Sequence, residues 1–201
     1  HKRVSNFLEE NNALYDMQFG FRAGRSCEQA LLTANKEILS ILNKKQVALL
    51  LLIDFSKAFD MVDHEILLDK LEHYGIRSIV NEWFKSYLSD RKQFVSISGK
   101  YSSEQPLKYS VPQGSILGPL LFVIYINDIP NINKLAKFIL YADDANIIIT
   151  GANICEIAAL FEELAQNLVI WVGANGLALN VKKTNYMLFT RTRNINLDQF
   201  M

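Results

Sequence analysis

A chain of 201 residues, 50% of them hydrophobic, is long enough for one core or a core with a small appendage, and too apolar to remain disordered. Its 21 basic and 21 acidic side chains cancel to a formal net charge of +0, which argues against a self-sufficient binder of nucleic-acid backbone. Cys27 and Cys155 lie far apart without metal-ligand spacing, so buried free thiols in a reducing, intracellular compartment are expected; the longest unbroken apolar run, Ile116 to Ile126, is too short to span a bilayer and is broken in character by Gly118 and Pro119.

Val4, Phe7, Leu8 and Leu14 have near-helical spacing and predict a short packing helix. Gly20 and Gly24 then interrupt any longer helix across Met17 to Arg25, leaving Arg22 and Arg25 on a compact connector. Ser26 and Gln29 form a capping box for a helix with Ala30, Leu31, Ala34, Ile38 and Leu42 on its buried stripe. The run Val47 to Ile53 does not alternate, so it predicts a central strand covered on both faces, with Asp54 at its end. Val62 and Leu67 bracket Asp63 as a staple around a cap, and Ile66, Leu71 and Tyr74 continue the helix until Gly75. A second helix over residues 78–88 carries Ile79, Trp83, Phe84, Tyr87 and Leu88, whose spacing favours core packing over base stacking. His64 and His73 have no partner pattern, and no function is assigned to them.

Phe94, Val95 and Ile97 predict a strand, residues 99–106 a polar turn, and residues 107–109 a return segment. Residues 111–118 combine Gly114 and Gly118 with Gln113, which permits close approach of a base or sugar. Pro119 suits the first turn of a helix with Leu120, Val123, Ile124 and Asn127 on one stripe. Two short apolar runs, Phe138 to Leu140 and Ile147 to Ile149, flank Tyr141-Ala142-Asp143-Asp144 and predict a β-hairpin whose tip carries both acids. Asn153 and Glu156 cap a helix bearing Ile157, Leu160, Phe161, Leu164, Leu168 and Trp171, which ends at Gly173 and Gly176. Residues 177–181 and 186–189 then predict strands around a polar turn, and residues 181–201 hold Lys182, Lys183, Arg191 and Arg193 against Asp198. This order is an α+β layer pattern.

Taken alone, Asp143 and Asp144 are compatible with a solvated turn, since Asp favours turns. Asp54, delivered by a second hydrophobic strand, changes the weighing. Three converging carboxylates repel one another unless a cation lies between them, and Mg2+ takes hard oxygen ligands. The residues by themselves therefore reach as far as two-metal phosphoryl transfer.

Five blocks in order resemble the reverse transcriptases of non-LTR, LINE-like retrotransposons: Gln18-Phe19-Gly20-Phe21-Arg22 with Gly24-Arg25-Ser26; Asp54-Phe55-Ser56-Lys57-Ala58-Phe59-Asp60; Val111-Pro112-Gln113-Gly114-Ser115 with Leu117-Gly118-Pro119; Tyr141 to Asp144; and Leu179-Asn180 with Lys183-Thr184. The resemblance implies a right-hand polymerase palm, an antiparallel sheet backed by helices, with residues 1–45 as partial fingers, residues 46–201 as palm with inserted fingers elements, and the thumb absent. It implies an RNA-directed DNA polymerase acting on an RNA template, a DNA primer and deoxynucleoside triphosphates, with two Mg2+ ions, or Mn2+ in their place. Asp54, Asp143 and Asp144 match the metal-binding carboxylates, and Lys183 matches the lysine that protonates leaving pyrophosphate. Phe59 matches the gate against a 2'-hydroxyl, Gln113 lies beneath nucleotide and template, and Arg22 and Arg25 match donors to phosphate or template backbone. Asp60 is expected to act as a local hydrogen-bonder.

Two departures stand out. Ser110 occupies a place where relatives carry glycine, which predicts strain if the backbone there needs positive φ, and Ala145 replaces a hydroxyl residue after the acids. Three readings remain beside the reverse transcriptase: an RNA-dependent RNA polymerase, which bulky Phe59 disfavours; a metal nuclease; and a non-catalytic nucleic-acid-binding or structural remnant. The start at His1 and the lack of a thumb further predict a fragment that folds but binds primer-template weakly and extends it poorly.

Overall fold

The computed structural model describes residues 1–112 and 114–191. In chain order the helices are α1 (Lys2–Glu10), α2 (Cys27–Asn43), α3 (His64–His73), α4 (Ser78–Leu88), α5 (Gly118–Ile126) and α6 (Ile154–Ala174), with 3-10 turns at Ala58–Met61 and Ile129–Ile132. The strands are β1 (Val47–Ile53), β2 (Lys92–Gln93), β3 (Ser96–Ile97), β4 (Lys100–Tyr101), β5 (Gln105–Pro106), β6 (Lys137–Tyr141), β7 (Asp144–Gly151) and β8 (Asn185–Phe189).

The uniformly apolar β1 sits inside an antiparallel sheet of order β6-β7-β1-β8, so both of its edges are paired and both faces must be covered. Because side chains alternate, Leu49, Leu51 and Ile53 join Phe138, Ile147 and Ile149 in the larger core, against α3, α5 and α6. Ala48, Leu50, Ile139 and Ile148 face the other way and are covered by Ala30, Ile38 and Ile41 of α2. The fold is thus α+β, an antiparallel sheet between helices, as its sequence leads one to expect.

Local signals are realised closely. Ser26 and Gln29 make both bonds of the capping box, and the Asp63 side chain accepts from the Glu65 and Ile66 amides at the start of α3. Asn153 accepts from the Glu156 amide at the start of α6. Helix α5 differs from its expected stripe: Leu120 to Ile126 are all buried, making it a central helix apolar all round.

Other expectations are corrected by packing. Residues 177–181 do not form a strand; they connect α6 to β8, touching the sheet through a single bridge between Phe55 and Leu179. The region 92–106 folds as two short ladders, β2 with β5 and β3 with β4, and Phe94 and Val95 are exposed. Phe84 and Leu88 of α4 enter the core, whereas Ile79 and Trp83 face outward, with Trp83 stacked on Tyr87 at 5.5 Å. Both cysteines are exposed rather than buried. Helix α6 is long and apolar enough to cross a membrane by length and composition, which a count of unbroken apolar runs misses because acids interrupt it; its Ile157, Leu164, Leu168 and Trp171 pack into the core.

Ser110 has φ 89, a left-handed conformation that carries strain for any residue with a Cβ. The segment is held there by the Ser110 amide donating to Val62 O at 2.8 Å and by the His64 ring at 2.7 Å from Ser110 O. Ser110→Gly should therefore stabilise the fold by about 1 kcal/mol after the extra unfolded-state entropy of glycine is counted. Thermal denaturation reads this as a midpoint rise of about 2–4 °C, and a fall would show that the Ser110 Oγ bond to Val111 O outweighs the strain.

Candidate active site

Strand register assembles the acids. Ile53 pairs with Ala145, so the next step along β1 sets Asp54 beside Asp144, and Tyr141 pairs with Asp144 to close a two-residue turn of Ala142 and Asp143. A third segment fixes Asp54 from the far side: the Asn180 amide donates to Asp54 O and the Ser56 amide to Ala178 O, both at 2.8 Å. The Asp54 amide reaches Thr184 Oγ1 at 3.5 Å, and Lys183 Nζ stands 4.0 Å from Asp54 Oδ2.

Burial, then the charges of Asp143 and Asp54, raises the Asp144 carboxyl above the usual aspartate range. Asp144 keeps solvent access, and the repulsion from Asp143 and Asp54 is the part of this shift that a cation would relieve. Among the described residues, no three His, Cys, Asp or Glu side chains stand as a ready-made metal-holding group. Asp144 feels the charges of both Asp143 and Asp54, and the oxygen-only donor set of the three acids suits Mg2+ rather than zinc or copper.

Asp54, Asp143, Lys57, Phe59, Asn180 and Lys183 line a cleft of about 500 Å3. A second cleft of about 480 Å3, between α2 and the sheet, meets the first at Asp54 and Lys183 and includes Asp144. A larger cavity of about 920 Å3 shares no residue with the acids; it borders Lys70, whose Nζ donates to Asp128 Oδ1 at 2.7 Å and to Tyr125 O at 2.5 Å. We read that cavity as bounded by a structural ion pair and the two smaller clefts as the chemical ones.

The other expected site residues fall as follows. Phe59 is half-buried, stacked on Phe122 at 4.3 Å, and borders the acidic cleft, so packing fixes a ring that also faces the site. Lys183 is 71% exposed at the side chain and borders both clefts beside Asp54. Arg22 is engaged inward: its guanidinium pairs with Glu9 at 2.5 Å and donates to Tyr15 O at 2.7 Å, with 6% of the side chain exposed. The same pairing, chiefly its hydrogen bond, holds Glu9 below the usual carboxylate range. Arg25 donates to Asp16 O at 2.8 Å and lies 5.5 Å from the Phe19 ring. Neither arginine is held pointing at the acids. Gln113 lies outside the described residues.

Sequence reasoning gave no role to three residues that the structure places at the site. Lys57 has φ 47 and lines the acidic cleft. Phe21, 52% exposed with φ 56, sets its ring edge-on to Phe59 at 6.3 Å. Gln18 is 1% exposed and bonds to the acidic turn. A polar residue between Met17 and Phe19 was the available signal for Gln18, but nothing local names its partner.

A family described as "Reverse transcriptase (RNA-dependent DNA polymerase)" matches residues 1–197. The chain is 33% identical over 201 residues to the probable RNA-directed DNA polymerase from transposon BS of Drosophila melanogaster, covering 94% of this chain and 21% of that protein. It is 30% identical over 203 residues to the corresponding protein from transposon X-element of Drosophila melanogaster, covering 95% and 21%. The chain therefore spans about a fifth of the length of these relatives. A solved structure of telomerase from Candida albicans, in complex with a TWJ fragment of telomeric RNA, superposes with a TM-score of 0.69 over 96% of this chain and 34% of that one. At 13% identity that likeness shows the fold alone.

Proposed function

The chain belongs to the reverse transcriptase family, in its non-LTR retrotransposon branch, and from that premise we propose that it carries the metal-dependent polymerising centre for RNA-templated DNA synthesis. The observation that supports this most is the meeting of Asp54, Asp143 and Asp144 at one end of the sheet, where burial and then the charges of Asp143 and Asp54 raise the Asp144 carboxyl.

In this reading Asp54 and Asp143, with Asp144 in support, would hold Mg2+, two ions in all, or Mn2+ in substitution. Bound there, the metal would supply activation of the primer 3'-hydroxyl and neutralisation of the triphosphate. The chain's own groups do the rest. The Asn180 and Thr184 contacts hold the Asp54 backbone still, and Lys183 donates a proton to the leaving pyrophosphate. Phe59, braced by Phe122, excludes a 2'-hydroxyl by contact. In the same reading residues 1–45 are partial fingers and residues 46–201 palm with inserted fingers elements, of which 113 and 192–201 lie outside the described residues, and the partners are an RNA template, a DNA primer and deoxynucleoside triphosphates.

Primer extension on matched RNA and DNA templates, with deoxynucleotides and ribonucleotides supplied separately, tests the reading. Metal-dependent deoxynucleotide addition on RNA is expected, weak from this chain by itself; strand cleavage without addition would replace the polymerase with a nuclease. In the same assay Phe59→Ala should raise the ribonucleotide-to-deoxynucleotide efficiency ratio by about tenfold or more. Loss of its stack should also cost about 2 kcal/mol of stability. A stability loss with an unchanged ratio would return Phe59 to the core alone.

A further inference from the structure

The residue that turns the carboxylates toward one another is not itself an acid. Ala142 has φ 55 and is buried, so a left-handed alanine stands immediately before Asp143. Such a conformation persists only where its surroundings over-determine it. Here they are supplied from the N-terminal segment. Residues 17–19 lie along the outer edge of β6: the Phe19 amide donates to Leu140 O and the Leu140 amide to Met17 O, both at 2.8 Å, in a parallel bridge. From that edge the Gln18 Oε1 accepts from the Ala142 amide at 3.0 Å and from the Gly20 amide at 2.8 Å, while Nε2 stands 3.5 Å from Ala142 O. One carboxamide thus ties strap and turn together. The strap is itself fastened by Arg22 to Tyr15 O, Gln18 O and Glu9, and by Arg25 to Asp16 O.

We propose that Gln18 is a positioning residue for the acidic centre: its side chain holds the Ala142 peptide and thereby sets the direction of Asp143. Arg22 and Arg25 act behind it as fasteners of the strap. This rests on the metal-site reading given above for what Asp143 does, but not for what Gln18 holds. A turn released from Gln18 could reverse its Ala142–Asp143 peptide, moving the carboxylate while leaving the sheet register intact.

Two measurements on the 201-residue chain decide it: amide hydrogen exchange by NMR, and Mn2+ binding by electron paramagnetic resonance. Gln18→Met keeps the length and removes the acceptor. It should speed exchange at Ala142 and weaken Mn2+ binding, each by about tenfold, the equivalent of about 1.4 kcal/mol, with β1 amides still protected. Gln18→Glu keeps an acceptor for both amides and should keep Ala142 protected. If Gln18→Met does not fold, Gln18→Asn, still polar but one methylene short of the turn, should show the same two changes. Parent-like exchange at Ala142 and parent-like Mn2+ affinity in the folded variant would overturn the proposal. A parent chain that binds no Mn2+ would sink the metal-site reading, and exchange at Ala142 would then still decide whether Gln18 holds the turn.

Discussion

Asp143→Asn should lower single-nucleotide incorporation by about a hundredfold or more and remove the Mg2+-induced rise in melting temperature, without unfolding the chain. Asp143 stands on a two-residue turn outside both apolar cores, so the isosteric change removes charge and little packing. The pH dependence separates a metal ligand from a structural acid. In the folded chain Asp144 is raised by burial and by the charges of Asp143 and Asp54. A raised carboxylate contributes stability that is present below its unfolded pKa and lost as pH rises through the folded value. Without metal, then, the crowded acids cost stability at neutral pH, and acid relieves them. Asp143→Asn removes one source of that repulsion, so the metal-free variant should melt at or above the parent at neutral pH, with the difference closing in acid. Added Mg2+ should raise the parent midpoint at neutral pH and lose its effect as Asp144 protonates. A variant that melts well below the parent without metal would mark Asp143 as structural; normal incorporation by a folded variant would remove it from the chemistry.

The second large effect is expected far in sequence from Asp54, Asp143 and Asp144. Gly20→Ala places a Cβ 2.1 Å from Ala142 N and 2.8 Å from Ala142 Cα, both backbone atoms that cannot swing aside. The strap must lift from β6 or the turn must move, breaking bonds of the Gln18 carboxamide and of the Phe19–Leu140 bridge. Three lost bonds at roughly 1 kcal/mol each give a destabilisation of about 3 kcal/mol, or about 6–12 °C in the melting midpoint. Gly24→Ala is the control, because Gly24 has φ 72 but nothing within 4 Å, so only backbone strain of about 1 kcal/mol is expected. Equal losses from the two substitutions would mean that close approach to Ala142 is not what Gly20 provides.

The sequence alone determined what short-range patterns can carry. A run of seven apolar residues without alternation made β1 central, Ser26 with Gln29 and Asp63 marked helix starts, and two apolar runs around adjacent acids made the acidic hairpin. These signals are legible because their period or spacing lies within a few residues. The metal-ligand candidates followed from strand ends and from the order of the five blocks. Tertiary structure alone decided which donors meet which acceptors. Arg22, read as a phosphate donor, turns inward to Glu9 and Tyr15 because the Gly20 and Gly24 connector folds back on α1. Trp83 has core-like helical spacing but faces outward, since Phe84 and Leu88 already fill the core side of α4. Gln18 reaches Ala142 across 124 residues, a distance over which no local periodicity specifies a partner. A hydrogen bond needs donor and acceptor within about 3 Å and in line, and only the register of β6, β7 and the strap brings this pair to that separation.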